Sequence, residues 1–223
     1  MKARQAGFTL VEIAIVLVII GLLLGGILKG QEMITQAKIK NVIADFSGVS
    51  AAYHGYQDRY RAIPGDDPNA AARWAVAPAA TSGNGNGVVA GGYSSANAAD
   101  ESRLWWDHLR RAGFVSGNGT QQPFNALTGL IGVQTGDGQA AVGPTMLNAA
   151  GGNGFVGLIM CSANLPDKIA IAVDTQMDDG ASNLGTVRAL LQAAPNPAIG
   201  AAQVATAAYA ETSTNIYTLC RSL

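Results

Sequence analysis

Charged residues are scarce in this chain of 223 residues, because Asp, Glu, Lys and Arg together make up 13% of it and the formal net charge is −1. The 14 basic residues are scattered, and outside the amino terminus only Arg110 and Arg111 are adjacent. A phosphate backbone is bound by clustered Lys and Arg. The composition therefore disfavours nucleic acid as a partner.

Sequence motifs for catalysis are also missing. The chain has no G-x-x-x-x-G-K-[ST], G-x-S-x-G, H-E-x-x-H or C-x-x-C sequence, and only two histidines. The glycine-rich GNGNG stretch at residues 83–87 lacks the preceding strand and following helix that a phosphate-binding loop needs. We therefore expect no enzymatic activity and no organic cofactor.

Proline is absent before Pro64, and the segment from Phe8 to Leu28 has a single charged side chain, Glu12. A run of about 20 apolar residues suits a membrane-crossing helix. Lys2 and Arg4 precede the run, and positive charge favours the cytoplasmic side, which places the amino terminus inside and the bulk of the chain outside. No A-x-A-like site follows, so the pattern indicates a retained helix and not a cleaved secretory signal.

Glu12 needs an explanation in such a segment. An ionised carboxylate deep in hydrocarbon costs at least about 2.5 to 3.5 kcal/mol. Glu12 could lie near the interface and reach the headgroups, with a small gain from the helix dipole. A positive partner is the stronger explanation, and hydrolysis of the Gly7–Phe8 bond would create one, the new α-amino group of Phe8.

The hexapeptide GFTLVE at residues 7–12, after a short basic leader and before an apolar helix, resembles the processing site of type IV pilins and of the pseudopilins of type II secretion. The resemblance implies that a prepilin peptidase cleaves after Gly7 and methylates Phe8. It also implies that Glu12 pairs with the amino terminus of a neighbouring subunit during filament assembly.

A filament subunit of this kind would have several partners by resemblance. They are other pilins and further copies of itself, the prepilin peptidase, an inner-membrane platform protein with a cytoplasmic assembly ATPase, and an outer-membrane secretin. The resemblance implies a bacterial inner-membrane protein with a periplasmic carboxy-terminal domain, which becomes a periplasmic or surface filament. Many major pilins have a proline in or just after the apolar helix, so its absence here favours a pseudopilin or minor pilin.

The layout predicts an α+β, pilin-like fold, with a long amino-terminal helix packed on a carboxy-terminal antiparallel sheet and a long irregular loop region between them. The predicted regions are a leader (1–7), a membrane or filament-core half of the helix (8–30), an exposed half (31–62), the loop region with a short helix near 100–112 (63–154), and the sheet region (155–223). An apolar stripe at helical spacing predicts packing of the exposed half on the sheet, although a coiled-coil seam or a cofactor-lining face is an alternative. The stripe is Ile39, Val42, Phe46, Val49, Tyr53, Tyr56 and Tyr60.

Four apolar runs are predicted strands, at residues 155–163, 168–175, 186–191 and 215–220. Turn residues at 165–167 and 178–180 separate the first three, which predicts antiparallel hairpins. In the short helix near residue 105, an inner face of Leu104, Trp105, His108 and Leu109 is expected, with Gly113 after the helix end.

Cys161 and Cys220 are the only cysteines. In an exported chain an even pair indicates one disulfide, whereas in the cytosol two buried thiols would be the expectation. A bridge would tie the first predicted strand to the last.

The acidic sequence DTQMDDG, residues 174–180, supports two interpretations. Asp174, Asp178 and Asp179 are close enough along the chain to contribute oxygen ligands to calcium, although the spacing departs from an EF-hand loop. A hairpin turn is the simpler interpretation. Major pseudopilins have a calcium site in this part of the fold, so the resemblance keeps calcium as a hypothesis.

A second function class is a membrane-tethered or pilus-borne binding module, such as an adhesin or a DNA-uptake minor pilin. It would need exposed aromatic or basic residues in the loops. The residues available for this role are Trp74, Trp105, Trp106, Arg103, Arg110 and Arg111.

Overall fold

The structure, a computed structural model, describes residues 9–137, 154–199 and 205–223. Its helices are α1 (Leu10–Tyr60), α2 (Ala70–Arg73), α3 (Glu101–Arg111) and α4 (Asp167–Met177). Its strands are β1 (Ile131–Asp137), β2 (Val156–Pro166), β3 (Val187–Leu191) and β4 (Ile216–Ser222). The α+β class expected from the sequence, a long amino-terminal helix and a carboxy-terminal antiparallel sheet, is confirmed.

The chain divides into two compact units, residues 1–38 and 39–223, and the division falls within α1. The described part of the first unit is the apolar beginning of α1. Glycines at 21, 25, 26 and 30 have no neighbouring atoms where a side chain would lie. This stretch of helix is formed by local backbone hydrogen bonds and makes no core of its own.

In the second unit, α1 contributes an apolar stripe to the core. Six residues of the predicted stripe are buried, namely Ile39, Val42, Phe46, Val49, Tyr53 and Tyr56, and Tyr60 is half-buried. They belong to one cluster with buried residues of α3, α4 and all four strands. Packing of this half of the helix against the sheet, the preferred interpretation of the stripe, is confirmed.

The sheet has the strand order β1–β2–β4–β3, and every pair is antiparallel. Of its two inner strands, β2 sends Leu158 and Met160 into the cluster shared with α1, and Ile159 and Cys161 into a second cluster on the opposite face. Burial on both faces explains why β2 is a nearly continuous apolar run in the sequence. The strand candidates at 155–163, 186–191 and 215–220 correspond to β2, β3 and β4.

The strand predicted at residues 168–175 is wrong, because this segment forms α4. Its sequence KIAIAVDT alternates large and small apolar residues, which imitates the two-residue period of a strand. The buried positions Ile169, Ala170 and Val173 instead lie on one face of a helix. A short apolar run cannot be assigned by periodicity alone, and here the many alanines favour the helix.

The predicted hairpins among the first three strand candidates are also wrong. β2 pairs with β4 and β1, and residues 178–180 follow the end of α4 instead of joining two strands. The interpretation of DTQMDDG as a hairpin turn is therefore wrong as well.

The loop region holds the predicted short helix, α3, with Leu104, Trp105, His108 and Leu109 all buried as expected. Gly113 follows its end with a φ of 83°, a conformation that suits glycine at a helix terminus. The loop region also contains β1 and the four-residue helix α2.

Candidate functional site

The amino-terminal site begins where α1 begins. Glu12 folds back on Thr9, so that one carboxylate oxygen accepts hydrogen bonds from the Thr9 amide and the Thr9 hydroxyl, both at 2.8 Å. The Thr9 hydroxyl in turn accepts from the Glu12 amide at 3.3 Å. This reciprocal arrangement is a capping box, which satisfies amide donors that the first turn of a helix leaves without partners.

The capping box gives Glu12 a local role besides the pairing expected for it. Both contacts from Thr9 go to the same oxygen, Oε2. The carboxylate is thus held at the very start of the helix. Gly7 and Phe8, the expected processing residues, lie outside the described residues.

After Glu12 the helix presents apolar side chains on all sides. Leu17, Leu22 and Leu28 are each more than 60% exposed, unlike the large apolar side chains of a core helix. In the described part of the chain, α1 is the one helix long and apolar enough to cross a membrane. No residue in its most apolar stretch is buried. A surface of this size requires lipid or other protein chains to cover it.

A second cluster lies at the carboxy-terminal end of α4. One carboxylate oxygen from each of Asp174, Asp178 and Asp179 can be chosen so that all three lie within 4.8 Å of one another. Asp174 is buried, whereas Asp178 is half-buried and Asp179 is exposed. Because the backbone carbonyls at this end of a helix also carry partial negative charge, the local potential favours a cation.

The buried carboxylate is only partly satisfied. Asp174 Oδ2 accepts a hydrogen bond from the Tyr209 hydroxyl at 2.6 Å, but Oδ1 has no hydrogen-bond partner among the described residues. Burial raises the pKa of Asp174, and the charges of Asp179 and Asp178 raise that pKa further, against the effects of hydrogen bonds from the Tyr209 hydroxyl and the Gly180 amide. A buried carboxylate oxygen without a donor is costly, and a divalent cation would satisfy it.

The other two carboxylates are held by the backbone. Asp178 Oδ2 accepts from the amides of Thr186 and Val187 at 2.5 and 3.0 Å. Asp179 Oδ1 accepts from the amide of Ala181 at 2.8 Å. These bonds fix the carboxylates at the start of β3 and the end of α4, and the residues present therefore fit a calcium ion in donor chemistry and in position.

The predicted disulfide is present and joins Cys161 of β2 to Cys220 of β4. The two residues are directly opposite each other in the register of the antiparallel pair. Both are buried in the second cluster, on the face of the sheet opposite the one that packs with α1. The bond therefore ties the first and last predicted strands together, as expected.

The residues that a binding module would need are mostly used inside the fold. Trp105 and Trp106 are fully buried and pack edge to face. Arg103 donates to the carbonyls of Thr120 and Ser95 at 2.7 and 2.8 Å. Trp74, Arg110 and Arg111 are half-buried, and all three have partners. Trp74 packs beside Tyr60. Arg110 donates to the carbonyls of residues 116 and 119, and Arg111 pairs with Asp107. These side chains do not form an exposed aromatic or basic surface.

Two residues of these sites were not anticipated. Thr9 has no role in the processing motif itself, although the sequence T-x-x-E before an apolar run is a capping-box signature. Tyr209 lies 35 residues from its partner Asp174, and nothing in the local sequence connects them.

Residues 2–28 match the protein family described as the prokaryotic N-terminal methylation motif. Comparison with curated proteins and with solved structures found no match for the chain. The matched residues contain the basic leader, the GFTLVE sequence and the exposed apolar stretch of α1. The motif points to a structural role. The chain therefore carries the signal motif of type IV pilins and pseudopilins.

Proposed function

We propose that this chain is the structural subunit of a type IV pilus-like filament or of a type II secretion pseudopilus. A prepilin peptidase cleaves it after Gly7 and methylates Phe8, and the mature subunit polymerises through the first half of α1. The observation that carries the proposal is the methylation motif at residues 2–28 running directly into a helix whose apolar side chains are exposed on all sides.

Before assembly, the lipid bilayer covers the apolar stretch, with the amino terminus in the cytoplasm and residues 39–223 in the periplasm. In the filament, the same stretch packs against equivalent helices of neighbouring subunits. Glu12 then pairs with the methylated amino group of a neighbouring Phe8, because two opposite charges in an apolar filament core are stable only when they meet. The pair fixes the register between subunits.

Export and assembly use the partners that the family resemblance implies. These are the inner-membrane platform protein, its assembly ATPase and the outer-membrane secretin, together with other pilins. The subunit has no catalytic role of its own in this scheme. The internal use of the tryptophans and arginines described above favours a structural role over the alternative, a membrane-tethered or pilus-borne binding module.

The first experiment is the mass of the amino-terminal peptide from protein recovered from membranes or sheared filaments. We expect a peptide that begins at N-methylated Phe8. Retention of Met1 to Gly7 where the peptidase is active would contradict the proposal.

The assembly role of Glu12 is tested by Glu12→Ala, with Glu32→Ala as the matched control. Glu32 lies on the same helix and is exposed, in an ion pair with Lys29. We expect Glu12→Ala to reduce filament yield at least about tenfold, since loss of an apolar-core ion pair costs well over 1.4 kcal/mol. Glu32→Ala should leave the yield close to that of the unmodified chain. Equal filament yields for both variants would remove Glu12 from assembly.

We also propose that the cluster of Asp174, Asp178 and Asp179 binds calcium. The unpartnered, buried Oδ1 of Asp174 supports this proposal. Bound calcium would supply positive charge to three carboxylates at once and so tie the end of α4 to the start of β3.

The test is thermal unfolding of the full-length protein in detergent, with calcium or with a chelator. Calcium at concentrations well above about 1 mM, the dissociation constant of the weakest protein calcium sites, should raise the midpoint temperature of unfolding. Asp174→Asn should abolish the increase, and Asp58→Asn, at an exposed position of α1, should retain it. An unchanged midpoint in the unmodified protein would refute calcium binding and leave the filament proposal intact.

A further inference from the structure

The second histidine of the chain, His108, lies fully buried in α3 and connects that helix to the irregular segment before it. Its Nδ1 accepts a hydrogen bond from the Gly65 amide at 2.9 Å. Its Nε2 is 2.8 Å from the Thr81 carbonyl oxygen. Since the amide can only donate and the carbonyl can only accept, the ring must be neutral with its proton on Nε2.

The segment held by His108 is residues 63–87, which we call the clamp loop. The loop is closed on itself by Asp66, whose carboxylate accepts from the amides of Gly85, Asn86 and Gly87 at 2.6, 3.1 and 2.7 Å. The Gly83 amide also donates to the Asp67 carbonyl at 3.0 Å. The two ends of the loop are thereby joined, and they move together if their attachment to α3 is lost.

His108 provides two of the bonds that attach the clamp loop to α3, one near each end of the loop. Glu101 adds another, by accepting from the Asn84 amide at 3.0 Å. The loop and α3 together line a groove of about 810 Å³, with Pro78, Ala79 and Thr81 on the loop side and Leu104, Asp107 and Arg111 on the helix side. The position of the loop therefore sets the width of this groove.

The surroundings of His108 do not favour a charged ring. Tyr56 stacks nearly parallel to it with centroids 6.4 Å apart, and Trp74 lies 6.2 Å away. The charged groups that face it are Asp67, Asp107 and Arg111. Both carboxylates are already paired with arginines, Asp67 with Arg73 at 2.5 Å and Asp107 with Arg111 at 2.6 Å.

We propose that His108 makes the attachment of the clamp loop sensitive to acid. Protonation at Nδ1 places a ring N–H donor against the Gly65 N–H donor, which breaks the hydrogen bond between them and releases the loop from α3. The added proton comes from solvent, and the released loop opens the groove beside α3. The proposal concerns residues 39–223 alone and does not depend on filament assembly.

Burial lowers the pKa of His108, and this outweighs the hydrogen bond to Thr81 and the nearby carboxylates, which would raise it. The attached state thus binds a proton less readily than the released state, in which the ring has an ordinary pKa near 6.5. Attachment is strongest above that value and weakens as the pH falls below it, which sets the window for the experiment.

Hydrogen exchange of the full-length protein in detergent micelles tests the proposal between about pH 8 and pH 5, with rates corrected for the intrinsic effect of pH. We expect exchange in peptides covering residues 63–87 to increase at least about tenfold on acidification, while peptides from β2 remain protected. His108→Gln keeps one donor and one acceptor but does not titrate, so its clamp loop should stay protected. His54→Gln, at an exposed position of α1, should respond like the unmodified protein.

An equal response to acid in His108→Gln would overturn the proposal. If that variant does not fold, NMR of isotope-labelled histidine in the unmodified chain provides a second measurement. The proton on Nε2 at neutral pH and a His108 titration whose midpoint coincides with loop release would support the proposal. Loop protection that persists after His108 is protonated would refute it.

Discussion

Residues 10–38 and 39–60 belong to the same helix, α1, yet their apolar side chains meet different surroundings. In the first stretch Leu22 is 73% exposed, and apolar side chains face every direction. In the second stretch Phe46 is 0% exposed, and the apolar residues form one stripe against the core. The second stretch is therefore stabilised by its own chain, whereas the first must be covered by lipid or by other protein chains.

The strongest test of this difference is a pair of truncations. Phe46→Ala should lower the free energy of unfolding of residues 39–223 by about 3 to 5 kcal/mol, because it leaves a cavity in the core. Leu22→Ala should change that free energy by less than about 0.5 kcal/mol. All three tryptophans lie beyond residue 38, so denaturant unfolding followed by tryptophan fluorescence reports this region. Equal effects of the two truncations would contradict the division.

The disulfide gives the next largest expected effect. Replacing Cys161 and Cys220 together with alanine should lower the free energy of unfolding of residues 39–223 by about 2 to 4 kcal/mol, because the bond closes a loop with a sequence separation of 59. The helicity of residues 10–38 in micelles should not change. Far-ultraviolet circular dichroism and tryptophan fluorescence separate the two regions, and loss of helix throughout α1 would show that they are coupled.

A smaller effect concerns charge in the calcium-free protein. The pKa of Asp174 is raised on folding, so stability is lost as the pH rises through the folded pKa. Asp174→Asn should remove this loss and stabilise the calcium-free protein by about 1 kcal/mol at neutral pH, the interaction of two unit charges about 4 Å apart in water. Thermal unfolding at several pH values measures it. Destabilisation by Asp174→Asn in the presence of chelator would contradict the expected repulsion.

The smallest expected effect is that of glycine-to-alanine substitutions in α1. Gly48 is exposed, with no atom near the position of an added side chain, and Gly25 in the first unit has the same free space. Gly48→Ala should stabilise residues 39–223 by about 0.5 to 1 kcal/mol through helix propensity. Gly25→Ala should leave the unfolding of that region unchanged, as measured by the same fluorescence method. Equal stabilisation by both would mean that the two stretches unfold together.

Much of the fold follows from patterns that the sequence displays locally. The stripe from Ile39 to Tyr56 has a clear helical period, and β2 and β4 are rich in residues that favour strands, so these elements were predicted correctly. The prediction for the segment that forms α4 was wrong because Ile169, Ala170 and Ile171 fit both the helical and the strand period over a short distance. Which period applies depends on the surface against which the segment packs.

The sites divide in the same way. The GFTLVE sequence and the capping box of Thr9 and Glu12 are contained within six residues, so they can be recognised without a fold. The contacts of His108 with Gly65 and Thr81 span 43 and 27 residues, and the contact of Tyr209 with Asp174 spans 35. No local pattern predicts contacts over such separations.

The sequence by itself determined the methylation motif, the apolar helix that follows it and the helical stripe beyond, because each depends on residues within a few turns of one another. Only the tertiary structure decided that Asp174 is buried with an unpartnered oxygen, that Cys161 lies opposite Cys220, and that a neutral His108 holds the clamp loop. The physical reason is that burial, strand register and hydrogen-bond partners are set by segments distant in the chain, which meet only when the core forms.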